Sequence, residues 1–202
     1  MYLREGIHDR NIFKAIFICG VPGAGKNFIL DKLNLVNNSM KIVDVDYIQR
    51  FLQRVKKSSS YEEAGNYQYR FQTQYSRSFL GLVVLTTGRL FQKTISIANE
   101  LENNGYDTMM VFVNTSKETA IQRIINRGRQ VDRNYFDESW KQVESNFPMY
   151  KLYFGEDFVV IDNEKFPNIQ LAYRKVRQFL SLPINKKAQE ILQKQNVSAR
   201  IQ

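Results

Sequence analysis

Residues 20–27 read Gly-Val-Pro-Gly-Ala-Gly-Lys-Asn. Gly20, Gly25 and Lys26 fall at the spacing of a phosphate-binding loop, G-x-x-x-x-G-K-[ST]. Gly20, Gly23 and Gly25 allow backbone to approach phosphate closely. Successive N–H groups and a following helix N-terminus then face the anion. Lys26 reaches the β- and γ-phosphates. Gly20, Val21, Pro22, Gly23, Ala24, Gly25, Lys26, Asn27 and Phe28 are therefore the candidate nucleotide-binding residues. The motif ends in a hydroxyl that ligates Mg²⁺, and here the residue is Asn27. Its amide carbonyl is also a hard oxygen donor, so Asn27 is the candidate metal ligand, expected to bind more weakly or off-centre. The alternative is that Asn27 only caps the helix.

The flanking elements are those such a loop needs. "KAIFIC" (14–19) reads as a buried strand ended by glycine, and "KNFILDKLNLV" as a helix with Ile29, Leu33 and Val36 at helical spacing. "KIVDVD" (41–46), "LVVLTT" (82–87), "DTMMVFVN" (107–114) and "DFVVID" (157–162) read as four further strands. Helices lie between them: "YIQRFLQRVKK", a stretch closed by Gly105, a capped one from Thr115 or Ser116, one running to Pro148, and "NIQLAYRKVRQFL". Pro148 is expected to kink or end its helix. "SSSYEEAG" reads as a polar loop, and Tyr67, Phe71 and Tyr75 at i, i+4, i+8 as a core-facing helix stripe. The alternation predicts a three-layer α/β fold with a parallel sheet of about five strands. Ligands in such sheets bind at strand carboxyl ends, where the loop, Asp44, Asp46, Thr86, Thr87, Asn114, Asp162 and Asn163 all fall.

The 202 residues are expected to form one domain over 1–182, with a basic tail over 183–202. One cysteine and one histidine exclude a zinc site, an internal disulfide and a Ser-His-Asp triad. No apolar run reaches the ~18 residues of a membrane span, and the start has no apolar leader segment, so a cytoplasmic protein with no membrane partner is expected. The net charge of +9 favours polyanionic partners, nucleotide and nucleic acid.

"GVPGAGKN", "VDVD", "TTGR" and "RIINRGRQ", in that order after successive strands, resemble the zeta toxin/polynucleotide kinase type of P-loop kinases. "W..V..N" and "FG..F.VIDN" are similar to small P-loop kinases of tailed phages, which implies host cytoplasm. The resemblance covers most of residues 14–163. It implies ATP and Mg²⁺ as cofactors, and Asp46 as the carboxylate that accepts the acceptor's proton, with Asp44 as runner-up. It implies a lid near 123–133 whose Arg123, Arg127 and Arg129 neutralise transferring charge, with Gly128 as hinge and Arg133 as a weaker candidate. The acceptor is expected between the second and third strands, near 56–80, with Asp44, Arg70, Arg77, Thr87 and Arg89 as its candidate contacts. The chain departs from the family pattern at Leu85, where a magnesium-supporting acid is expected. Three readings stay open: a kinase for a nucleic acid hydroxyl, such as a strand end or a hydroxymethylated base in phage DNA; a kinase for a nucleoside monophosphate or nucleotide sugar; and a nucleotide-binding or structural phage protein without catalysis.

Overall fold

The computed structural model describes residues 9–56, 60–128, 132–164 and 169–199. Five parallel strands form one sheet in the order β2-β3-β1-β4-β5. They are β1 (Lys14–Cys19), β2 (Lys41–Val43), β3 (Leu82–Thr86), β4 (Asp107–Asn114) and β5 (Phe158–Asp162). Helices cover both faces: α1 (Lys26–Lys32), α2 (Val45–Lys56), α3 (Tyr61–Arg77), α4 (Phe91–Asn103), α5 (Lys117–Asn126), α6 (Arg133–Phe154), α7 (Gln170–Ser181) and α8 (Lys186–Ala199). No helix among the described residues is long and apolar enough to cross a membrane.

β1 is central, and all six of its residues are buried. That is why it reads as an unbroken apolar run rather than an alternating one. Ile18 pairs with Leu85 on one side and Val111 on the other. Leu85 is 6 % exposed, so the position where an acid was expected is part of the core.

The expected elements need four corrections. "KIVDVD" is a strand only to Val43, because Asp44 turns the chain into α2. Its carboxylate accepts the Asp46 N–H (2.9 Å), and its carbonyl accepts the Ile48 N–H (3.1 Å), which is helix capping. The α1 helix stops at Lys32, and Val36 is exposed in a short 3₁₀ turn. The "SSSYEEAG" segment supplies the start of α3 from Tyr61: the Ser60 hydroxyl accepts the Glu63 N–H and caps the helix. Its residues 57–59 lie outside the described residues. Finally, α6 runs through Pro148 to Phe154. Pro148 and Glu144, whose carbonyl loses its helical donor there, are both exposed to water.

The aromatic stripe of α3 is only partly covered: Tyr75 packs on the main core and Tyr67 on a small cluster with Ile48, Leu52 and Ala64, while Phe71 is 39 % exposed and stacks on Tyr75 at 6.1 Å. The fully buried residues of the helix are Ala64, Gln72 and Ser76.

The basic tail folds onto the body. Ala188 is fully buried, and Ile184, Ile191 and Leu192 pack on the main core. Asn185 donates to the Gly105 carbonyl and to Asp107, each at 2.9 Å. Lys14, 1 % exposed, donates to Asp107 (2.6 Å) and to the Pro183 carbonyl (3.3 Å) at the amino end of the sheet.

Candidate active site

The phosphate loop leaves β1 at Gly20 and enters α1 at Lys26. Gly23 and Gly25 have φ of 84° and 92°, the left-handed region that side chains avoid. The loop is held from behind. A Cβ on Gly25 would sit 2.3 Å from Asn163 Nδ2, and one on Gly20 2.6 Å from the Val113 carbonyl. Asn163 Nδ2 donates to the Ala24 carbonyl at 2.6 Å, and the Asn163 N–H donates to the Asn114 carbonyl at 2.8 Å. Lys26 Nζ donates to the Gly20 carbonyl at 2.7 Å and the Val21 carbonyl at 3.4 Å. Its ammonium therefore lies over the loop that phosphate oxygens would enter.

Asn27 is exposed in the first turn of α1. Gly25 occupies the N-cap position, so capping is not the role of Asn27. Phe28 is 41 % exposed, with Lys32 Nζ 5.5 Å from its ring centroid.

Asp44 and Asp46 stand at the carboxyl end of β2, two strands from the loop. Their closeness comes from the first turn of a helix and not from strand alternation. Burial and the neighbouring Asp46 charge raise the Asp44 pKa; Lys26 and the N–H groups of Asp46 and Tyr47 oppose the rise. Lys26 and Asp44 thus feel each other across the site. Partial desolvation and the Asp46 carboxylate push the Tyr61 phenol up to about 12, with Tyr135 and Asp44 adding and Arg89 opposing. Tyr61 therefore keeps its proton at neutral pH. The Arg89 guanidinium lies 5.0 Å from the Tyr135 ring centroid. Tyr61, Arg89 and Tyr135 so gather around the two carboxylates.

The loop carrying Thr87 and Arg89 is fixed by α6. Asn146 Nδ2 donates to the carbonyls of Gly88 (3.0 Å) and Arg89 (2.8 Å), and the Tyr150 hydroxyl donates to that of Gly88 (3.1 Å). The Thr86 and Thr87 hydroxyl oxygens accept the N–H groups of Gly88 and Arg89. Gly88 has a φ of 76°, and a Cβ there would lie 2.2 Å from the buried Cys19 Sγ. Asn146 and Asn163 sit inside "W..V..N" and "VIDN", segments singled out in the sequence without an assigned role. Tyr135, Tyr150 and Glu164 carried no signal, since no spacing ties them to the loops they meet.

The arginines divide. Arg123 is not free to close over phosphate. Nη1 donates to the Ala24 carbonyl (3.3 Å) and Thr115 Oγ1 (3.4 Å), and Nη2 to the carbonyls of Asn163 (2.7 Å) and Glu164 (3.3 Å). It is a positioning residue that ties the phosphate loop to the end of β5. Arg127 is exposed and ends α5, with Gly128 at a φ of 61° behind it, and Arg133 is exposed at the start of α6. Arg129 lies outside the described residues. Arg70 and Arg77 line a 350 Å³ surface cavity on α3 with Tyr69 and Thr73. Arg77 ends α3 just before Leu80 and Gly81 lead into the amino end of β3, the opposite edge of the sheet from the phosphate loop. Arg77 therefore stands away from the phosphate loop.

Glu164 closes the back of the site. Hydrogen bonds from the Ser116 N–H, and then from the hydroxyls of Thr119 (2.8 Å) and Thr115 (3.0 Å), hold its carboxyl at about 2 against an ordinary 4.5. A depressed carboxyl stabilises the fold above the unfolded value and loses that contribution as pH falls from about 4.5 through about 2. Glu164→Gln is therefore expected to lower Tm at pH 7 and to flatten the acid limb of a Tm–pH profile. An unchanged acid limb would show that the network does not survive in solution.

The family model described as Zeta toxin matches residues 4–169. Among solved structures, a chain of the PezAT chromosomal toxin-antitoxin system of Streptococcus pneumoniae superposes with a TM-score of 0.61 at 19 % identity, covering 94 % of this chain and 84 % of that one. A gluconokinase from Sinorhizobium meliloti 1021 gives a TM-score of 0.53 at 13 % identity over 85 % of this chain and 94 % of the other. Shikimate kinase from Acinetobacter baumannii, in complex with shikimate, gives 0.50 at 15 % identity over 82 % and 92 %. At these identities the structural likenesses show the fold, that of P-loop kinases. No curated protein matches the sequence significantly.

Proposed function

Since the chain belongs to the zeta toxin family, we propose that it transfers the γ-phosphoryl group of ATP to a hydroxyl of a nucleotide-type acceptor. The observation that carries this reading is that Asp44, with Asp46 beside it, stands at the carboxyl end of the sheet where it feels Lys26 of the phosphate loop. The loop N–H groups and Lys26 hold the triphosphate and stabilise charge as the phosphoryl group moves. Asp46 accepts the proton of the attacking hydroxyl. Arg89 supplies a cation for an acceptor phosphate, while Tyr61 donates a hydrogen bond and Tyr135 offers a ring face.

Mg²⁺ fits the donors present. Burial and then the Asp46 charge raise the Asp44 pKa, so its carboxylate would gain from a cation beside it, and the N–H groups of Asp46 and Tyr47 leave it further lone pairs to offer. Asp44 and Asn27 would hold the ion together with phosphate oxygens and waters, which is how Mg²⁺ is usually bound. The ion supplies neutralisation of the β- and γ-phosphate charge. Asp44 in this role compensates for the absence of an acid at Leu85.

Small-molecule acceptors, a nucleoside monophosphate or a nucleotide sugar, suit the Tyr61–Arg89–Tyr135 pocket directly. A nucleic acid hydroxyl, including one in phage DNA, gains from the net charge of +9. The test is transfer of labelled γ-phosphate from ATP, with Mg²⁺ and with Mn²⁺, to nucleotides, nucleotide sugars, DNA, RNA and hydroxymethylated DNA. Transfer to at least one acceptor that disappears in Lys26→Ala is expected. Nucleotide binding with transfer to none of them would leave the third reading, a nucleotide-binding protein without catalysis.

A further inference from the structure

α2 starts at the acceptor pocket, with Asp46 in its first turn, and runs about 18 Å away from it over 12 residues. Ile48 and Leu52 on its inner side pack on Ala64 of α3, with Val45 and Tyr67 beside them. The neighbouring face carries Tyr47, Arg50, Phe51, Arg54 and Val55, at i, i+3, i+4, i+7 and i+8. All five are exposed; Tyr47, Phe51 and Val55 are 65 %, 56 % and 65 % accessible. Two rings and an isopropyl group in water on one helix face cost hydrophobic free energy that the fold does not recover. The face carries two guanidinia and no carboxylate. A protein helix docked here would have to supply acids opposite Arg50 and Arg54 as well as an apolar stripe. A single nucleic acid strand supplies an anion at every residue and a π-face for every ring.

We propose that this ridge is a docking track for single-stranded nucleic acid, which leads the strand's end toward Asp46. The proposal rests on the kinase reading above for what happens at that end. Bases stack on Tyr47 and Phe51, and Arg50 and Arg54 meet backbone phosphates. The order of the parts is what such a substrate needs, since the ridge begins at the mouth of the pocket that holds the carboxylates.

The test is fluorescence anisotropy of the full chain with a labelled 20-nucleotide oligothymidylate and, in parallel, an oligouridylate of the same length. Binding is expected to weaken steeply between about 50 and 200 mM salt. Phe51→Ala is expected to weaken it roughly 5- to 150-fold, the range for loss of a base–aromatic stack. Arg50→Glu with Arg54→Glu is expected to lower the salt slope by about two phosphate contacts. Binding of a fluorescent ATP analogue should be unchanged in every variant, because none of these residues touches the phosphate loop. The two oligonucleotides separate DNA from RNA as the source. Absence of binding at low salt, or binding indifferent to the ridge variants, overturns the track. So does sedimentation showing that the ridge variants abolish self-association and leave oligonucleotide binding intact, which would make the ridge a homodimer surface. Transfer to nucleotide sugars without ridge-dependent binding leaves the kinase reading standing and removes the track. Ridge-dependent binding without transfer to any acceptor does the reverse.

Discussion

Asp46→Asn is expected to lower kcat by about 10²- to 10⁴-fold, the usual worth of a positioned proton acceptor, with ATP affinity little changed. Asparagine keeps the shape of the side chain and cannot take a proton. The Asp46 N–H bond to Asp44 and the first turn of α2 involve backbone and so survive the change. The matching Asp44→Asn variant separates the two carboxylates. Asparagine caps a helix as well as aspartate does, so the fold should hold. Its effect is expected in the Mg²⁺ dependence, as a higher metal concentration for half-maximal rate, because the charge facing Lys26 is lost. Single-turnover transfer at varied Mg²⁺ measures both. Full activity in Asp46→Asn with collapse in Asp44→Asn would exchange the assigned roles.

Gly25→Ala is expected to abolish nucleotide binding within the detection range of calorimetry and to destabilise the fold by about 2–5 kcal/mol. A side chain in the left-handed region costs about 1–2 kcal/mol. The new methyl group would also displace the Asn163 amide, since Cβ would fall 2.3 Å from Nδ2. That amide holds the Ala24 carbonyl at 2.6 Å and is nearly buried, so an orphaned group adds about 1–3 kcal/mol. The neighbouring contact on that carbonyl, Arg123 at 3.3 Å, is longer and does not replace it, because its Nη1 also serves Thr115. Denaturant titration reads the stability loss, and nucleotide titration of the folded variant reads the binding loss. A variant that keeps wild-type stability and nucleotide affinity would show that the loop does not lean on β5.

Much of the architecture is legible in the sequence because the sheet is parallel and buried. Lys14–Cys19 and Asp107–Asn114 coincide with the strands expected from their apolar runs, since strands covered on both faces write their bounds in composition. Asp44 is the instructive exception. Its backbone continues the β pattern by eye, but its side chain serves the Asp46 N–H and turns the chain early. The stripe of Tyr67, Phe71 and Tyr75 has helical period, and period alone does not say which face is covered. Tyr67 and Tyr75 pack on the core edge, whereas Gln72 and Ser76 are buried more deeply than Phe71 because α3 meets the sheet edge on that side.

The candidate site divides in the same way. The phosphate loop is local, so eight consecutive residues carry it. The fixing of that loop is not local: Arg123, Asn163 and Glu164 come from two other connections at strand carboxyl ends. Arg123 was legible as a cation near the site, while its actual task depends on carbonyl groups that every residue possesses. Arg77 stands apart from the phosphate loop because a helix 17 residues long carries its last residue back to the far edge of the sheet.

The contact between Lys14 and Pro183 joins residues 169 positions apart. A growing chain offers its amino-terminal part first. β1, which carries the phosphate loop at one end, thus emerges with a lysine at its other end that stays short of one oxygen until residue 183 has been made. Asn185, two residues further on, bonds the same Asp107 that pairs with this lysine. Pro183 and Asn185 act as the latch on β1, and a partly synthesised molecule holds the parts of a nucleotide site before it holds the closure of its own core.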